Sequence, residues 1–194
     1  MAFTWGAVCR PKQGQNVSGD TYVIREQDAH TLFVAVIDGL GGGEEAAKAA
    51  RAAENVINEH VSWPLQEIMR LSHTALQGTR GAVISLLRLD EVARHADYVG
   101  VGNIGAHVYS RQPIKPITKS GIVGFRMPPT MLELHYQYDP GDVFVLYSDG
   151  ISSRFGQTVG LNALQSPQQF AEDILTNHGK TVDDSTVVVV QTHA

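Results

Sequence analysis

Four of the most strand-like segments in the sequence carry an aspartate at one end. The run TLFVAVIDG ends in Asp38-Gly and VFVLYSDG ends in Asp149-Gly, whereas Asp20 opens the run DTYVI and the pair Asp183–Asp184 opens STVVVV. If these strands are neighbours, their carboxylates gather at one edge of the sheets, where mutual repulsion raises their pKa values unless a cation neutralises them. The residue types and their positions therefore indicate a cation site.

The chemistry of these side chains indicates which cation would bind. Carboxylate oxygens without an accompanying group of histidines or cysteines are typical of sites for Mg²⁺ or Mn²⁺ rather than Zn²⁺. The eight histidines are scattered, and the one cysteine, Cys9, excludes both a multi-cysteine zinc site and an internal disulfide. We expect each histidine to be packed or solvated and Cys9 to be a small core residue.

A glycine-rich segment follows Asp38 and leads into a predicted helix. A phosphate-binding loop would need Gly-Lys-Ser/Thr at the start of that helix, whereas this segment reads Gly43-Glu44-Glu45 and places negative charge there. A dinucleotide fingerprint fails as well, because Glu44 occupies the third glycine position. A single Asp-Gly is more often a turn than a site. Its recurrence at Asp149 favours a site.

The elements that must position these acids can be predicted from periodicity and turn signals. Residues Thr21–Ile24 and Thr31–Ile37 predict two antiparallel strands. Alanines at helical spacing predict a helix from about Glu44 to Val61, with a small-residue face that packs closely on a sheet. A second helix is predicted to use Ser62 as its N-cap, with a proline in its first turn, and to stop at Gly78.

The second half of the chain reads mainly as strands. The segments GAVISLLRL, ADYVGVG and IGAHVYS predict three adjacent antiparallel strands, with a tight reversal at Gly102–Asn103. Ser166 and Gln169 form a capping box that opens a helix ending at Gly179, and STVVVVQ predicts a last strand. The least regular stretch, Lys115–Thr130, is predicted to be a surface excursion.

Length and charge exclude several classes of protein. At 194 residues, the chain is predicted to form one domain over residues 1–194. The net charge of −5 and the absence of a basic cluster argue against a nucleic-acid partner. No apolar run approaches the roughly 18 residues of a membrane span, and the N-terminus does not resemble a signal peptide. We expect a cytoplasmic monomer with no membrane partner.

Six motifs, in this order, resemble those of the metal-dependent protein phosphatase superfamily (type 2C), and specifically its bacterial SpoIIE-like branch. They span almost the whole chain. The motifs are SGD at 18–20, VAVIDGLGGG at 34–43, RGA at 80–82, VGVGNI at 99–104, VLYSDGI at 145–151 and DDSTVVV at 183–189. The brevity of the chain and its DGLGGG loop are most similar to the feedback phosphatases of the stressosome.

The resemblance implies an α+β fold, a four-layer α-β-β-α sandwich with two central antiparallel sheets. It implies that two Mn²⁺ or Mg²⁺ ions are held at one end of the sheets by Asp20, Asp38, the Gly39 carbonyl, Asp149 and Asp183. Of these, Asp38 and Asp149 are the predicted catalytic residues. The implied reaction is an in-line attack on phosphorus by a water molecule that the metals activate, with no covalent phosphoenzyme.

Other positions are less directly matched to the family pattern. Asp184 stands where many relatives have asparagine, and both it and Glu44 are candidates to orient groups around the metals, although Glu44 also suits a solvated first helical turn. Leu40 stands where eukaryotic relatives have a histidine that protonates the leaving group. Arg10 lies near the position of the phosphate-binding arginine of larger relatives.

The resemblance implies that the substrate is a signalling protein phosphorylated on serine or threonine, such as a stressosome-type scaffold protein. Two alternatives remain open from the sequence. One is a non-catalytic regulatory binding module of the same fold, and the other is a metal-dependent hydrolase of small phosphoesters. A degenerate module would be expected to lack one or more ligands, whereas every expected carboxylate is present.

Overall fold

The computed structural model describes residues 2–158 and 166–193. Nine strands and four helices lie within these ranges. They are, in chain order, β1 (Phe3–Arg10), β2 (Asp20–Glu26), β3 (Thr31–Gly39), α1 (Glu44–Glu59), α2 (Leu65–Ala75), β4 (Ala82–Asp90), β5 (His95–Val101), β6 (Gly105–Tyr109), β7 (Glu133–Gln137), β8 (Val143–Tyr147), α3 (Phe155–Thr158), α4 (Pro167–His178) and β9 (Ser185–Thr192).

The strands form two antiparallel sheets. The five-stranded sheet has the order β2-β3-β4-β5-β7, and the four-stranded sheet has the order β1-β9-β8-β6. The predicted pairing of the segments around Thr21–Ile24 and Thr31–Ile37 is confirmed as β2 against β3. In both sheets the central strands are buried on both faces, which explains why they read as continuous apolar runs.

Three hydrophobic cores define four layers. Helices α1 and α2 pack on the outer face of the five-stranded sheet, where Phe33, Ala35 and Ile37 point. The alternate residues Val34 and Val36 point into the core between the two sheets. Helix α4 covers the outer face of the four-stranded sheet. The predicted α-β-β-α sandwich is confirmed.

The helices follow their sequence signals with one exception. Five alanines on one face of α1 are buried, and Gly43 precedes the helix without a side-chain cap. The Ser166–Gln169 capping box of α4 is confirmed, with both reciprocal hydrogen bonds formed. The prediction that Ser62 caps α2 is wrong, because Pro64 is the N-cap residue and no side chain caps the helix. Proline lacks an N–H but adopts the extended backbone that an N-cap requires.

The prediction of three adjacent strands across Gly102–Asn103 is also wrong. Strands β4 and β5 pair, but β6 pairs with β8 in the other sheet, and β7 occupies the free edge of β5. Gly102 has a φ of 98°, as a tight turn would require. A positive φ marks a sharp change of direction without specifying which sheet the next strand joins. The Gly102–Asn103 pair therefore carries the chain from one sheet to the other.

Two further expectations need correction. The stretch Lys115–Thr130 is irregular, as predicted, but Val123 pairs with Ala82 and is fully buried, so the stretch is not wholly a surface excursion. Cys9 is exposed rather than part of the core. It is the penultimate residue of the edge strand β1, and its Sγ is 3.6 Å from the Asp20 carbonyl oxygen. No helix in the described ranges is long and apolar enough to cross a membrane.

Candidate metal centre

Two of the predicted acids lie side by side in the five-stranded sheet. Asp20 is the first residue of β2 and is directly opposite Asp38, the penultimate residue of β3. Side chains at such paired positions have Cβ atoms about 5 Å apart. Asp20 is buried and Asp38 is half-buried. The strand register alone therefore brings two carboxylates together.

Two other acids lie at the end of the four-stranded sheet. Asp149 follows β8 and Asp183 precedes β9, and these strands pair in antiparallel register, with Tyr147 opposite Val187. A bond from the Ser148 N–H to the Thr186 carbonyl, 3.1 Å long, continues the pairing towards the two acids. Antiparallel pairing thus places the end of one strand beside the start of the other.

Three of these acids, Asp38, Asp149 and Asp183, line a small cavity. Its volume is about 190 Å³. It is lined by Asp38, Leu40, Gly41, Val83, Asn103, Asp149 and Asp183. Each sheet contributes carboxylates to this one end of the sandwich, so the cluster exists only when the sheets are packed together.

Burial and mutual repulsion raise the pKa values of these acids. The pKa of Asp38 is raised to about 9, first by burial and then by the charges of Asp20, Asp149 and Asp183. Burial, with the charges of Asp184 and Asp149, raises the pKa of Asp20 to about 7. Near neutral pH the cluster therefore holds protons that a bound cation would displace.

Asp149 has a more polar environment than the other members of the cluster. Burial and the charge of Asp183 raise its pKa, whereas Lys180 and a hydrogen bond from Asn103 lower it. Asn103 Nδ2 donates to Asp149 Oδ2, and Lys180 Nζ donates to the Asp149 backbone carbonyl. The carboxylate is thereby held in one orientation towards the cavity.

Gly39 is required by the close approach of α1 to the end of β3. A Cβ atom at this position would lie 2.1 Å from the Ala46 carbonyl oxygen. Its N–H donates to the Gly19 carbonyl oxygen at 3.0 Å. With the amide fixed in this way, the Gly39 carbonyl keeps a defined position beside Asp38 and Asp20.

Asp184 plays a positioning role. Its Oδ1 accepts from the Lys12 N–H at 2.9 Å, and its Oδ2 accepts from the Gly19 N–H at 3.0 Å. Both oxygens of the buried carboxylate are therefore used by backbone amides. Asp184 ties the segment that precedes β2 to the segment that precedes β9, and so fixes Asp20 relative to Asp183.

Of the remaining candidates, Glu44 and Arg10 contact other parts of the chain, whereas Leu40 lies beside the acids. Glu44 is exposed, and its Oε2 pairs with Arg51 Nη2 at 3.6 Å. Arg10 donates from Nη2 to the Lys180 carbonyl oxygen at 2.9 Å. Leu40 lines the cavity. Among the described residues, neither Glu44 nor Arg10 is hydrogen-bonded or ion-paired to the acid cluster.

The cluster fits a hard divalent cation. Asp20 Oδ2 is buried and has no hydrogen-bond partner among the described residues. A buried carboxylate oxygen without a partner is costly, and coordination of a cation removes that cost. The other donors are carboxylate and carbonyl oxygens, which suit Mg²⁺ or Mn²⁺. Asp20, Asp38, Asp149, Asp183 and the Gly39 carbonyl could hold such ions.

Asn103 is a functional candidate that sequence analysis missed. The sequence placed this position in a turn and in the motif VGVGNI without assigning a role to the side chain, whereas the amide donates to Asp149 across the junction between the sheets. We expect Asn103→Ala to lower kcat/KM for p-nitrophenyl phosphate about tenfold, because positioning groups of metal ligands typically contribute 10- to 100-fold.

The matched control for this variant is Asn177→Ala on the surface of α4, where the amide donates to the Asp173 carbonyl of the same helix. This control should retain the activity of the unmodified protein. Equal activity of the Asn103 and Asn177 variants would show that the amide does not position Asp149.

Comparisons with known proteins agree with this fold. A family model described as Stage II sporulation protein E (SpoIIE) matches residues 28–193. The phosphoserine phosphatase RsbX of Bacillus subtilis (strain 168) is 28% identical over 144 residues, which cover 73% of this chain and 71% of the relative.

Solved structures extend the likeness to nearly the whole chain. One of them comes from a study of the bacterial stressosome as a modular system that has been adapted to control secondary messenger signalling. It has a TM-score of 0.92 and is 31% identical in sequence, and the match covers 98% of this chain and 100% of that chain. RsbX in complex with magnesium has a TM-score of 0.87 at 24% identity, covering 98% and 95%.

The family match extends over most of the chain and includes the strands that carry Asp38, Asp149 and Asp183. The predicted resemblance to SpoIIE-like phosphatases, and to RsbX among them, is therefore confirmed. The chain belongs to the SpoIIE family and is a metal-dependent protein phosphatase.

Proposed function

We propose that this protein removes phosphate from phosphoserine or phosphothreonine in a bacterial stress-signalling protein, with a phosphorylated stressosome-type scaffold as its substrate. The observation that supports the active site is the meeting of carboxylates from both sheets at one cavity, with a buried and unpartnered oxygen on Asp20. The similarity to the phosphoserine phosphatase RsbX supports the substrate class. We also infer that residues 1–194 act as one phosphatase domain.

We propose that two ions, Mg²⁺ or Mn²⁺, bind to Asp20, Asp38, Asp149, Asp183 and the Gly39 carbonyl. When bound, such ions supply an acidified water molecule and neutralise charge on the phosphoryl oxygens. The magnesium complex of the structural relative RsbX supports this choice of ion class. Because every donor is an oxygen held by a strand end, the ligands are positioned before the cations arrive.

The protein's own residues then have distinct roles. Asp38 and Asp149 both line the cavity, one from each sheet, so each could hold a cation there. Asn103 and Lys180 keep Asp149 in place. Leu40 and Val83 provide an apolar wall beside the acids. A cavity of about 190 Å³ suits a phosphoryl group on a protruding side chain of a larger partner.

The experiment that tests this proposal compares substrates under defined metal conditions. A phosphorylated stressosome-type scaffold protein, phosphoserine and phosphothreonine peptides, and p-nitrophenyl phosphate are each incubated with the protein in Mg²⁺, in Mn²⁺ and in a chelator. We expect metal-dependent turnover of the phosphoprotein with a higher kcat/KM than that of p-nitrophenyl phosphate. Faster turnover of the small ester than of every phosphoprotein would favour the hydrolase of small phosphoesters.

The loop that contains Phe125 is a candidate contact for the phosphoprotein. Val123 pairs with Ala82, which in turn pairs with Gly39, so this loop is at the same end of the five-stranded sheet as the acids. Phe125 is 78% exposed. Exposed aromatic residues on loops beside a site commonly anchor a protein partner.

We expect Phe125→Ala to lower kcat/KM for the phosphoprotein about fivefold, which corresponds to about 1 kcal/mol of lost contact, and to leave p-nitrophenyl phosphate hydrolysis unchanged. The control is Val92→Ala at the opposite end of the sheet, where Val92 is 75% exposed. An equal loss with both substrates would mean that Phe125 supports the structure of the site instead.

A further inference from the structure

A second group of potential metal ligands lies on the five-stranded sheet, well away from the acid cluster. Asp97 on β5 is directly opposite His135 on β7, and His95 is two residues before Asp97 on the same strand. Residues two apart on a strand share a face, so all three side chains project from the same side of the sheet. Their potential ligand atoms all lie within 4.8 Å of one another.

The two imidazoles are directed at the same carboxylate oxygen. His135 Nδ1 is 2.6 Å from Asp97 Oδ1, and His95 Nε2 is 2.9 Å from that oxygen. The histidine rings are stacked with their centroids 5.6 Å apart. The two imidazoles and the carboxylate come from two paired strands and could supply three ligands to one metal ion. Solvent could supply the remaining ligands.

A further residue selects which nitrogen of His95 faces the cluster. With the Gln137 amide oriented so that its nitrogen donates to the Arg94 and Ala93 carbonyls, its oxygen accepts from His95 Nδ1 at 3.2 Å. A proton on Nδ1 leaves the lone pair on Nε2, the atom that points at Asp97. Histidine ligands in metal sites are usually oriented by such a hydrogen bond to the second ring nitrogen.

A cation on the neighbouring strand is hydrogen-bonded to backbone carbonyls and not to Asp97. Arg88 on β4 is opposite Asp97, but its Nη2 donates to the Val61 and Trp63 carbonyls, at 2.8 and 2.6 Å. The Asp97 side chain is 25% exposed and that of His95 is 31% exposed, so an ion from solvent can reach both. The potential ligands are therefore held in a fixed orientation and remain accessible to an ion from solvent.

The group is separate from the phosphatase centre. Asp97 is opposite Arg88, which is five residues along β4 from Val83, the partner of Asp38. Five residues of antiparallel strand correspond to about 17 Å. No atom is shared between the two groups of ligands.

We propose that His95, Asp97 and His135 form a second metal site, selective for a transition-metal dication such as Zn²⁺ over Mg²⁺. Imidazole nitrogens favour Zn²⁺, Ni²⁺ and Co²⁺, whereas Mg²⁺ prefers an all-oxygen sphere. Because β7 is the edge strand of the sheet, an ion here joins β7 to β5 through side chains as well as backbone bonds. The site stabilises the sheet edge and takes no part in phosphate hydrolysis.

The test is a Zn²⁺ titration by calorimetry, carried out in an Asp38→Asn background with excess Mg²⁺ to suppress binding at the acid cluster. We expect this protein to bind Zn²⁺, and His135→Ala in the same background to bind one equivalent less or at least about tenfold more weakly. The matched control is His30→Ala, which removes an exposed histidine paired with a single carboxylate, that of Glu91. The control should bind Zn²⁺ as the parent does.

Visible absorption of bound Co²⁺ and hydrogen exchange of β7 provide two further tests. Co²⁺ bound through the imidazoles should give visible absorption bands that His135→Ala lacks, and hydrogen exchange of the β7 amides should slow when Zn²⁺ is added. Phosphatase activity of His135→Ala in the otherwise unmodified protein with Mg²⁺ should equal that of the parent, whether or not the proposed substrate is correct. Identical Zn²⁺ binding by the parent, His135→Ala and His30→Ala would overturn the proposal.

Discussion

Replacing Asp38 with asparagine is expected to lower metal-dependent hydrolysis of p-nitrophenyl phosphate by roughly a thousandfold. Asp38 lies between the Asp20 carboxylate on one side and the cavity that contains Asp149 and Asp183 on the other, so it contacts both halves of the proposed centre. Metal ions contribute several kcal/mol of charge stabilisation in phosphate hydrolysis, and each 1.36 kcal/mol is a factor of ten in rate.

The structure provides a sharp control for this variant. Glu44 begins the helix that follows the same glycine segment, but it is exposed and pairs with Arg51. We expect Glu44→Gln to keep its activity within about twofold, consistent with the small contribution of exposed ion pairs. Near-parental turnover by Asp38→Asn, with its circular dichroism unchanged, would contradict the proposed ligand set.

The metal-free protein is expected to become less stable as the pH rises from about 5 to about 8. The pKa of Asp38 is raised to about 9 and that of Asp20 to about 7 in the folded protein. At pH values above the ordinary aspartate pKa, the folded protein therefore binds more protons than the unfolded chain. The free energy of unfolding then falls by about 1.4 kcal/mol per pH unit for each extra proton bound. This contribution is fully present below about pH 4 and is lost as the pH rises through the raised values.

Urea denaturation in a chelator, at intervals across this range, measures the effect. We expect a loss of at least about 2 kcal/mol in the chelator and a much smaller loss in saturating Mg²⁺, because cation binding favours the deprotonated carboxylates. Asp38→Asn removes the group with the larger shift and should flatten the curve in the chelator, whereas Glu44→Gln should not. A curve that rises with pH in the chelator would show that the acids are not mutually repelled in the folded state.

The gathering of the acids could be predicted from the sequence because each one lies near the end or the start of a strand. Strand ends meet at sheet edges, and the repeated Asp-Gly at Asp38 and Asp149 favoured a site over a single turn. The capping box at Ser166 and the alanine face of α1 were equally local signals, and both are confirmed. Local signals of this kind require only a few neighbouring residues.

The features that the sequence did not reveal depend on contacts between distant segments. Asp184 binds the amides of Lys12 and Gly19, which lie more than 160 residues away along the chain. Asn103 reaches Asp149 only because β6 joins the second sheet, and a turn signal at Gly102 is compatible with either sheet. No pattern of periodicity encodes which of two sheets a strand enters.

The histidines illustrate the same limit. In the sequence His95 and His135 are forty positions apart and fit no ligand spacing, so each one alone reads as a solvated residue. The register of β5 with β7 brings His135 opposite Asp97. Register depends on how the whole sheet is assembled, and it cannot be read from either strand alone.

The pairing of the first strand with the last has a consequence for biosynthesis. Strand β1 is an edge strand whose one sheet neighbour, within the described ranges, is β9. During translation, residues Phe3–Arg10 therefore cannot pair in the sheet until Ser185–Thr192 have been synthesised. This takes roughly ten seconds or more at elongation rates of about 5–20 residues per second. Asp183 emerges with that same last segment. A nascent chain consequently cannot assemble the acid cluster before Asp183 and β9 have emerged.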